Sequence, residues 1–210
     1  VTNEMRYMSK IASEIGEDAS IYDEEFLKMQ EAVNNRMWDE KTGFYYDYNI
    51  CDHDFHKVET VASFLPLFAG ICNESQAKSL VSWLEDPETF GREFPIPCLS
   101  AKHECFGTDM WRGPVWLNYN YLIMLGLRDY GYEELADKIE AKTLKNVNEC
   151  YQRTGCVFEF YDSECKKEPY LLNRKGPVVE PYDFRIRYQP IRDLGWSCTL
   201  ILDMLHNLKF

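Results

Sequence analysis

The sequence predicts an all-α fold built from pairs of helices, arranged as an α/α toroid or an α-solenoid. Three observations support this. Apolar residues recur at spacings of three and four, as in Phe26, Met29, Val33 and Met37. The helical segments fall into pairs joined by short turns, and long connections separate the pairs. A solenoid would show sequence similarity between its repeats. These pairs lack it, so the toroid is favoured.

Seven helices are expected along a single domain spanning residues 1–210. Start signals stand at Asp23, at Asn73 followed by Gln76, and at Pro114 as a first helical residue. The first six helices form three pairs, and the seventh closes the chain. The predicted ranges are 3–15 with 23–38, 59–70 with 74–86, 114–130 with 133–150, and 194–208.

Three long connections, 39–58, 87–113 and 151–192, are rich in aromatic residues, Gly and Pro. That composition argues against disorder, and long ordered loops on a helical scaffold usually carry function. In the first, "DEKTG" predicts a turn with a mainly structural role, although Asp39 or Asp47 could reach a ligand. In the third, "GCVFEFYD" after the Thr154-Gly155 turn reads as a strand of a short β-hairpin.

Composition excludes several classes of function. The chain has 23 basic and 35 acidic residues, and its formal charge of −12 would repel a phosphate backbone, so no nucleic-acid partner is expected. No apolar run has the length of a membrane span, and the start "VTNEMRYMSK" lacks the layout of a signal peptide. We therefore expect a cytoplasmic protein, unless a targeting segment has been removed.

Cysteine and histidine spacing gives no metal pattern. The eight cysteines include no C-x-x-C pair, which favours reduced, structural thiols. His53 and His56 resemble a metal pair by type but stand in a loop beside three acids, so neither metal nor cofactor is expected. A sugar epimerase that shuttles protons between paired histidines is a weaker alternative, because His103 and His206 lie in unrelated contexts.

The segment "DMWRGPVWLNYN" concentrates unusual chemistry at a predicted helix start. Asp109, Trp111 and Arg112 precede the Gly113-Pro114 break, and Trp116 is placed on the first turn. Aromatic faces with a cation and a carboxylate suit a sugar ligand. The alternative is a core-filling tryptophan pair with a salt bridge between Arg112 and Asp109.

Glu159 is the second candidate, because it stands among aromatic residues in "GCVFEFYD". An apolar wall would suit a carboxyl group to acid or base work near neutral pH. The alternative is a solvated face or an ion pair. Trp196, at the start of the last helix, could add another aromatic wall.

Five segments together carry a family resemblance: "MWDEKTGFYYDY", "ASFLPLFAGI", "FGTDMWRGPVWLNYNYLIMLGL", "GCVFEFYD" and "GWSCTLILDML". In this order they resemble the C-terminal half of the catalytic domain of glycoside hydrolase family 63 and the trehalases of family 37. Mannosylglycerate-hydrolase-like and mannosyl-oligosaccharide-glucosidase-like members belong to this group. The resemblance implies an (α/α)6 toroid that hydrolyses α-glycosides with inversion, without metal or cofactor.

The resemblance also implies roles for individual residues. Glu159 would be the general base that activates water. Trp111 and Trp116 would line the subsite of the sugar whose bond is cut, Asp109 and Arg112 would bind its hydroxyls, and Trp196 would form another wall of the pocket.

The general acid of the resembled family belongs to an upstream motif that this sequence does not contain. We therefore expect a fragment, about seven helices of a twelve-helix toroid, that does not hydrolyse efficiently alone. A half toroid would expose apolar surface, which predicts a homo-oligomer or another chain that supplies the N-terminal half. A non-catalytic carbohydrate-binding or assembly module is the alternative function.

Overall fold

A computed structural model describes residues 1–174 and 189–207. In this part of the chain, seven α-helices and two short 3-10 helices (Val61–Phe64 and Pro169–Leu171) form. The predicted helix end at Leu208, and the part of the third connection between 175 and 188, lie outside the described residues. The α-helices are α1 Thr2–Glu14, α2 Ser20–Met37, α3 Leu65–Ala69, α4 Glu74–Glu85, α5 Leu117–Asp129, α6 Glu133–Thr154 and α7 Gly195–Asn207.

The helices pack in series around a central hairpin. α1 packs against α2 and α5 against α6, as the sequence predicts. α3 lies on α5, and α7 contacts both α5 and α6. The approach of α3 to α5 depends on Gly126, because a Cβ atom there would lie 2.5 Å from the backbone nitrogen of Phe68. The hairpin α5–α6 is therefore the element against which α3 and α7 pack.

Two small antiparallel hairpins occupy the first long connection. β1 (Trp38–Asp39) pairs with β2 (Phe44–Tyr45), and β3 (Asp47–Asn49) pairs with β4 (Asp54–His56). Asp39 closes the predicted turn: its carboxylate accepts from the Lys41 amide at 3.0 Å and forms an ion pair with Lys57 at 2.6 Å. The Lys57 ammonium lowers the pKa of Asp39. Asp39 thus has the structural role favoured by its sequence context.

Much of the aromatic content fills the core. Phe44, Phe64 and Phe90 are fully buried and contact one another, with ring centroids 4.8 to 6.1 Å apart. Trp116 and Phe160 belong to the same apolar cluster. The segments that carry the candidate site residues, around Trp116 and Phe160, therefore pack directly into the core.

Two predicted helix starts are wrong, and one is confirmed. α2 begins at Ser20, and Asp23 lies inside its first turn, where it accepts from Ser9 Oγ at 2.6 Å. α5 begins at Leu117 and not at Pro114, because Val115 is held in an extended ladder described below. At α4, Asn73 and Gln76 form the predicted capping box, with both reciprocal bonds at 2.9 Å.

Two predicted elements differ in kind. The segment 59–70 is a 3-10 helix followed by the short α3, with Pro66 in the first turn, where a missing N–H leaves no broken bond. The segment 157–160 makes only isolated bridges, and the expected alternation fails because Phe158, Glu159 and Phe160 are all buried. Glu159 is buried because Arg174 and Ile191 bind its carboxylate. Sequence spacing could not indicate these two partners, which are distant along the chain.

Candidate active site

The loop 107–113 is a compact turn that presents three of the predicted residues. The Arg112 amide donates to the Asp109 carbonyl, and the Gly107 amide donates to the Arg112 carbonyl, both at 2.6 Å. Gly113 has a φ of +139°, and a Cβ atom there would lie 1.9 Å from the Gly107 carbonyl oxygen. Only glycine fits this position, so the loop is closed by its own backbone.

Two tryptophans form a parallel stack on this loop. The rings of Trp111 and Trp116 lie 4.2 Å apart with an interplanar angle of 5°. Trp116 is 5% exposed, contacts Phe160 at 5.2 Å, and donates from Nε1 to the Met110 carbonyl at 2.9 Å. Trp111 is 48% exposed. The core-filling interpretation therefore describes Trp116, whereas Trp111 offers aromatic surface to solvent.

Asp109 and Arg112 form the salt bridge that the alternative interpretation anticipated. Arg112 Nη2 lies 2.5 Å from Asp109 Oδ2, and more than half of the Arg112 side chain is exposed. The carboxylate raises the pKa of Arg112, which keeps the guanidinium charged. A charged donor and a charged acceptor therefore stand together on the solvent side of the loop that carries Trp111.

Glu159 is buried, and its carboxylate accepts three hydrogen bonds from Arg174 and Ile191. Arg174 donates from Nε to Oε2 at 2.6 Å and from Nη2 to Oε1 at 3.2 Å. The Ile191 amide adds a bond to Oε2 at 3.1 Å. The predicted apolar wall is thus wrong as a description of this carboxyl group, and the ion-pair alternative is the one observed. The two-point guanidinium contact matches an ionised carboxylate.

Two backbone ladders bring Glu159 and the loop to the same region. Val115 and Tyr161 exchange amide–carbonyl bonds of 2.8 and 3.0 Å, two residues beyond Glu159. On the other side, Asp109 pairs in parallel with Asn173, and the Met110 amide donates to the Asn173 carbonyl at 2.8 Å. Asn173 precedes the arginine that holds Glu159. Loop 107–113 and the Glu159 carboxylate are therefore connected through residues 173 and 174.

Sequence reasoning missed Arg174. Its surroundings, "LLNRKG", show no periodicity or turn signal that would assign it a partner. The only available signal is chemical, since a buried carboxylate requires a compensating cation.

The remaining candidates stand apart from this cluster. Trp196 lies at the start of α7, 56% exposed, and within the described residues no ring contact joins it to Trp111 or Trp116. In the described part of the chain, no three His, Cys, Asp or Glu side chains are grouped to hold a metal ion. All eight cysteines lie in that part and are free. No helix among the described residues is long and apolar enough to cross a bilayer.

Comparison with protein families gives a match over most of the chain. A family model described as the mannosylglycerate hydrolase MGH1-like glycoside hydrolase domain matches residues 2–164. The mannosylglycerate hydrolase of Thermus thermophilus is 33% identical over 142 residues, covering 66% of this chain and 32% of that protein. The cytosolic neutral trehalase of Kluyveromyces lactis is 30% identical over 151 residues, covering 69% of this chain and 20% of that protein.

Comparison of folds gives the same group. A family 63 mannosylglycerate hydrolase from Thermus thermophilus, solved in complex with glucose, matches with a TM-score of 0.73 and 25% identity over 99% of this chain and 43% of that chain. Such neighbours are α/α toroids, which confirms the predicted fold class. The chain spans about a third of the length of the mannosylglycerate hydrolases that it matches.

Proposed function

This chain belongs to the mannosylglycerate hydrolase MGH1-like glycoside hydrolase domain family, and from that premise we propose that it carries the general-base half of an inverting α-glycosidase active site. One observation carries the proposal. Glu159 is a buried carboxylate whose contacts lead, through residues 173 and 174, to the loop that presents Trp111. A fixed carboxylate that is connected to a loop with an exposed aromatic face suits the hydrolysis of a sugar.

In the proposed reaction, Glu159 accepts a proton from water while the water oxygen bonds to the anomeric carbon. The bond from that carbon to the leaving oxygen breaks on the opposite face, and the leaving oxygen takes a proton from a carboxylic acid. An inverting pair of carboxyl groups is separated by about 6.5–9.5 Å. We propose that the acid is supplied by a part of the toroid other than residues 1–210.

The remaining site residues would bind the sugar. Trp111 is the proposed platform, because its ring is half exposed, and Trp116 supports it from behind. Asp109 and Arg112 would exchange their mutual ion pair for bonds to sugar hydroxyls. The role of Trp196 as a further wall of the sugar pocket stays a prediction. We propose an α-linked glucoside or mannoside as substrate, since the relatives are named mannosylglycerate hydrolase and trehalase.

Replacement of Glu159 by Gln tests the base role, because the amide cannot accept the proton. In the toroid completed by the half that supplies the acid, turnover of mannosylglycerate and trehalose should fall by at least about 10²-fold, the usual contribution of a general base, with sugar binding retained. Glu168→Gln is the matched control, since Glu168 pairs with Arg153 outside the site. Undiminished turnover in Glu159→Gln would refute the assignment.

A carbohydrate-binding module without turnover is the second candidate. The exposed face of Trp111 favours it, since this surface does not depend on Glu159. Calorimetry with glucose, trehalose and mannosylglycerate, on the protein and on Trp111→Ala, separates the two. Binding that is lost in Trp111→Ala, with no turnover even when the complementary half of the toroid is present, would support the module.

We also propose that another set of helices covers the exposed faces of the first helix, α1, and the last helix, α7. Large apolar side chains are exposed on α1, at Tyr7 and Ile11, directly after it at Ile15, and on α7, at Leu202 and Leu205. Soluble monomers rarely expose such contiguous surface. The proposed occupant is the complementary half of the toroid, carried on another chain. A monodisperse monomer in light scattering would contradict an occupant on a separate chain.

The cytosol is the proposed setting of the protein. The support is the 30% identity to a cytosolic neutral trehalase together with a formal charge of −12. Fractionation of cells that express a tagged form would test it, and recovery with membranes would contradict it.

A further inference from the structure

The Glu159 carboxylate has its hydrogen-bonding capacity almost filled. A carboxylate offers about four acceptor positions, two on each oxygen. Oε2 receives Arg174 Nε and the Ile191 amide, and Oε1 receives Arg174 Nη2. Among the residues that the structure describes, one position therefore stays open, and it is on Oε1.

We propose that Arg174 is a positioning residue that leaves Oε1 of Glu159 as the only oxygen able to accept the proton of the attacking water. This inference rests on the proposed function, because it assumes that Glu159 is the base. The guanidinium fork fixes both the direction and the tilt of the carboxylate plane, since it binds through two parallel N–H groups. A lysine in its place would supply charge without this orientation.

The position of Arg174 is set by the sugar-binding loop. The preceding residue, Asn173, pairs with Asp109, and its amide donates to the Thr108 carbonyl at 3.1 Å. Any displacement of loop 107–113 is therefore transmitted to the arginine and to the base. Through this connection, the aromatic platform and the base keep a fixed relative position.

The Arg174–Glu159 pair differs in burial from the Arg153–Glu168 pair, which serves as its control. Its side chains are 12% and 6% exposed. The pair between Arg153 and Glu168 also has an Nε contact, at 2.8 Å, but its arginine is 55% exposed and it lies at the end of α6. An exposed pair contributes little to stability, whereas breaking a buried pair leaves an uncompensated charge.

The kinetic test is made on the toroid completed by the half that supplies the acid, and it compares Arg174→Lys, Arg174→Ala and the control Arg153→Ala. We expect kcat of Arg174→Ala to fall about 10²-fold, because misplacement of a catalytic group by about 1 Å has that effect, with KM changed less than about threefold. Millimolar ethylguanidinium should restore part of the kcat of Arg174→Ala. The kcat of Arg174→Lys should stay well below that of the unaltered protein. The kcat of Arg153→Ala should equal that of the unaltered protein.

A stability test needs no turnover. Urea unfolding of Arg174→Met, Glu159→Gln and the double variant should be non-additive, with the double variant recovering part of the loss of Arg174→Met. Additive losses would show that the pair does not form in solution and would overturn the proposal.

The outcomes separate this inference from the proposed function. Inactive Glu159→Gln together with fully active Arg174→Ala would keep the base and remove the positioning role. Active Glu159→Gln would remove the base, and the positioning role with it, even if the stability test shows a coupled pair. If Arg174→Ala lowers kcat and also raises KM to a similar extent, and ethylguanidinium does not restore activity, the arginine has a purely structural role.

Discussion

The first hairpin, α1–α2, and the central hairpin, α5–α6, are both amphipathic in sequence but are used differently in the fold. In α5, six of thirteen residues are buried, and in α6 seven of twenty-two. In α1 the only buried residue is Ala12, and α2 has none. The central hairpin is packed by neighbours on several sides, whereas the first hairpin has a neighbour on one side.

Polar contacts attach the first hairpin, in addition to the packing of Val33 and Met37 against the core. Gln30 and Asn34 donate to the Ile71 carbonyl at 3.0 and 3.2 Å, and Arg6 forms an ion pair with Asp129 at 3.0 Å. Each net contribution of this kind is about 1 kcal/mol. An apolar stripe in the sequence thus shows that a helix can be buried. The extent of its burial is decided by the elements that pack against it.

A pair of identical substitutions should give the largest difference between the hairpins. Leu127→Ala, at a fully buried position of α5, should cost about 2–5 kcal/mol of unfolding free energy, because it leaves a cavity. Leu27→Ala, on α2 where Leu27 is 59% exposed, should cost under about 0.5 kcal/mol. Urea unfolding measures both. Equal losses would contradict the distinction.

Crowding at the central crossing should have the next largest effect. Gly126→Ala places a Cβ atom 2.5 Å from the Phe68 nitrogen in α3, so backbone must move. We expect a loss of about 1–3 kcal/mol. Gly195→Ala is the control, since a Cβ atom added there would meet no described atom within 4 Å. A stable Gly126→Ala would indicate a looser contact between α3 and α5.

Removal of one polar attachment should loosen the first hairpin alone. Asn34 donates to Ile71 and accepts from the Tyr45 hydroxyl at 2.6 Å, so Asn34→Ala, which removes both bonds, should cost about 1–2 kcal/mol. Amide hydrogen exchange should speed up in α1–α2 and stay unchanged in α5–α6. Asn35→Ala, at the exposed neighbouring position, should leave both unchanged.

Substitution of the exposed edge should have the smallest effect on stability. Ile11→Ser with Ile15→Ser should change the unfolding free energy by less than about 0.5 kcal/mol per site, since both side chains are more than half exposed. Light scattering should show weaker association if this edge is covered by a partner. Unfolding of the double variant would show that α1 is buried in solution.

The sequence predicts best what is decided by local chemistry. The Asn73–Gln76 capping box forms where its spacing places it, because both bonds lie within one turn. Pro114 fails as a helix start although it follows the local rule. Its neighbour Val115 is paired with Pro97 and with Tyr161, and neither partner can be inferred from the neighbouring sequence.

The candidate site shows the same division. The Asp109–Arg112 pair, three residues apart, was open to prediction as a local contact. The Glu159–Arg174 pair was not, because it forms across a loop whose course depends on the Asp109–Asn173 bridge. The stacking of Trp111 on Trp116 likewise depends on the closure of loop 107–113 around Gly113.

The tryptophan stack gives the molecule an optical signal of its own. Two indoles stacked 4.2 Å apart have coupled electronic transitions, which give a paired band of opposite signs in circular dichroism when the transition dipoles are rotated relative to each other within the ring planes. Trp111→Phe should abolish this band. A ligand that rests on Trp111 would alter the band without any label, so occupancy could be followed by titration in a cuvette.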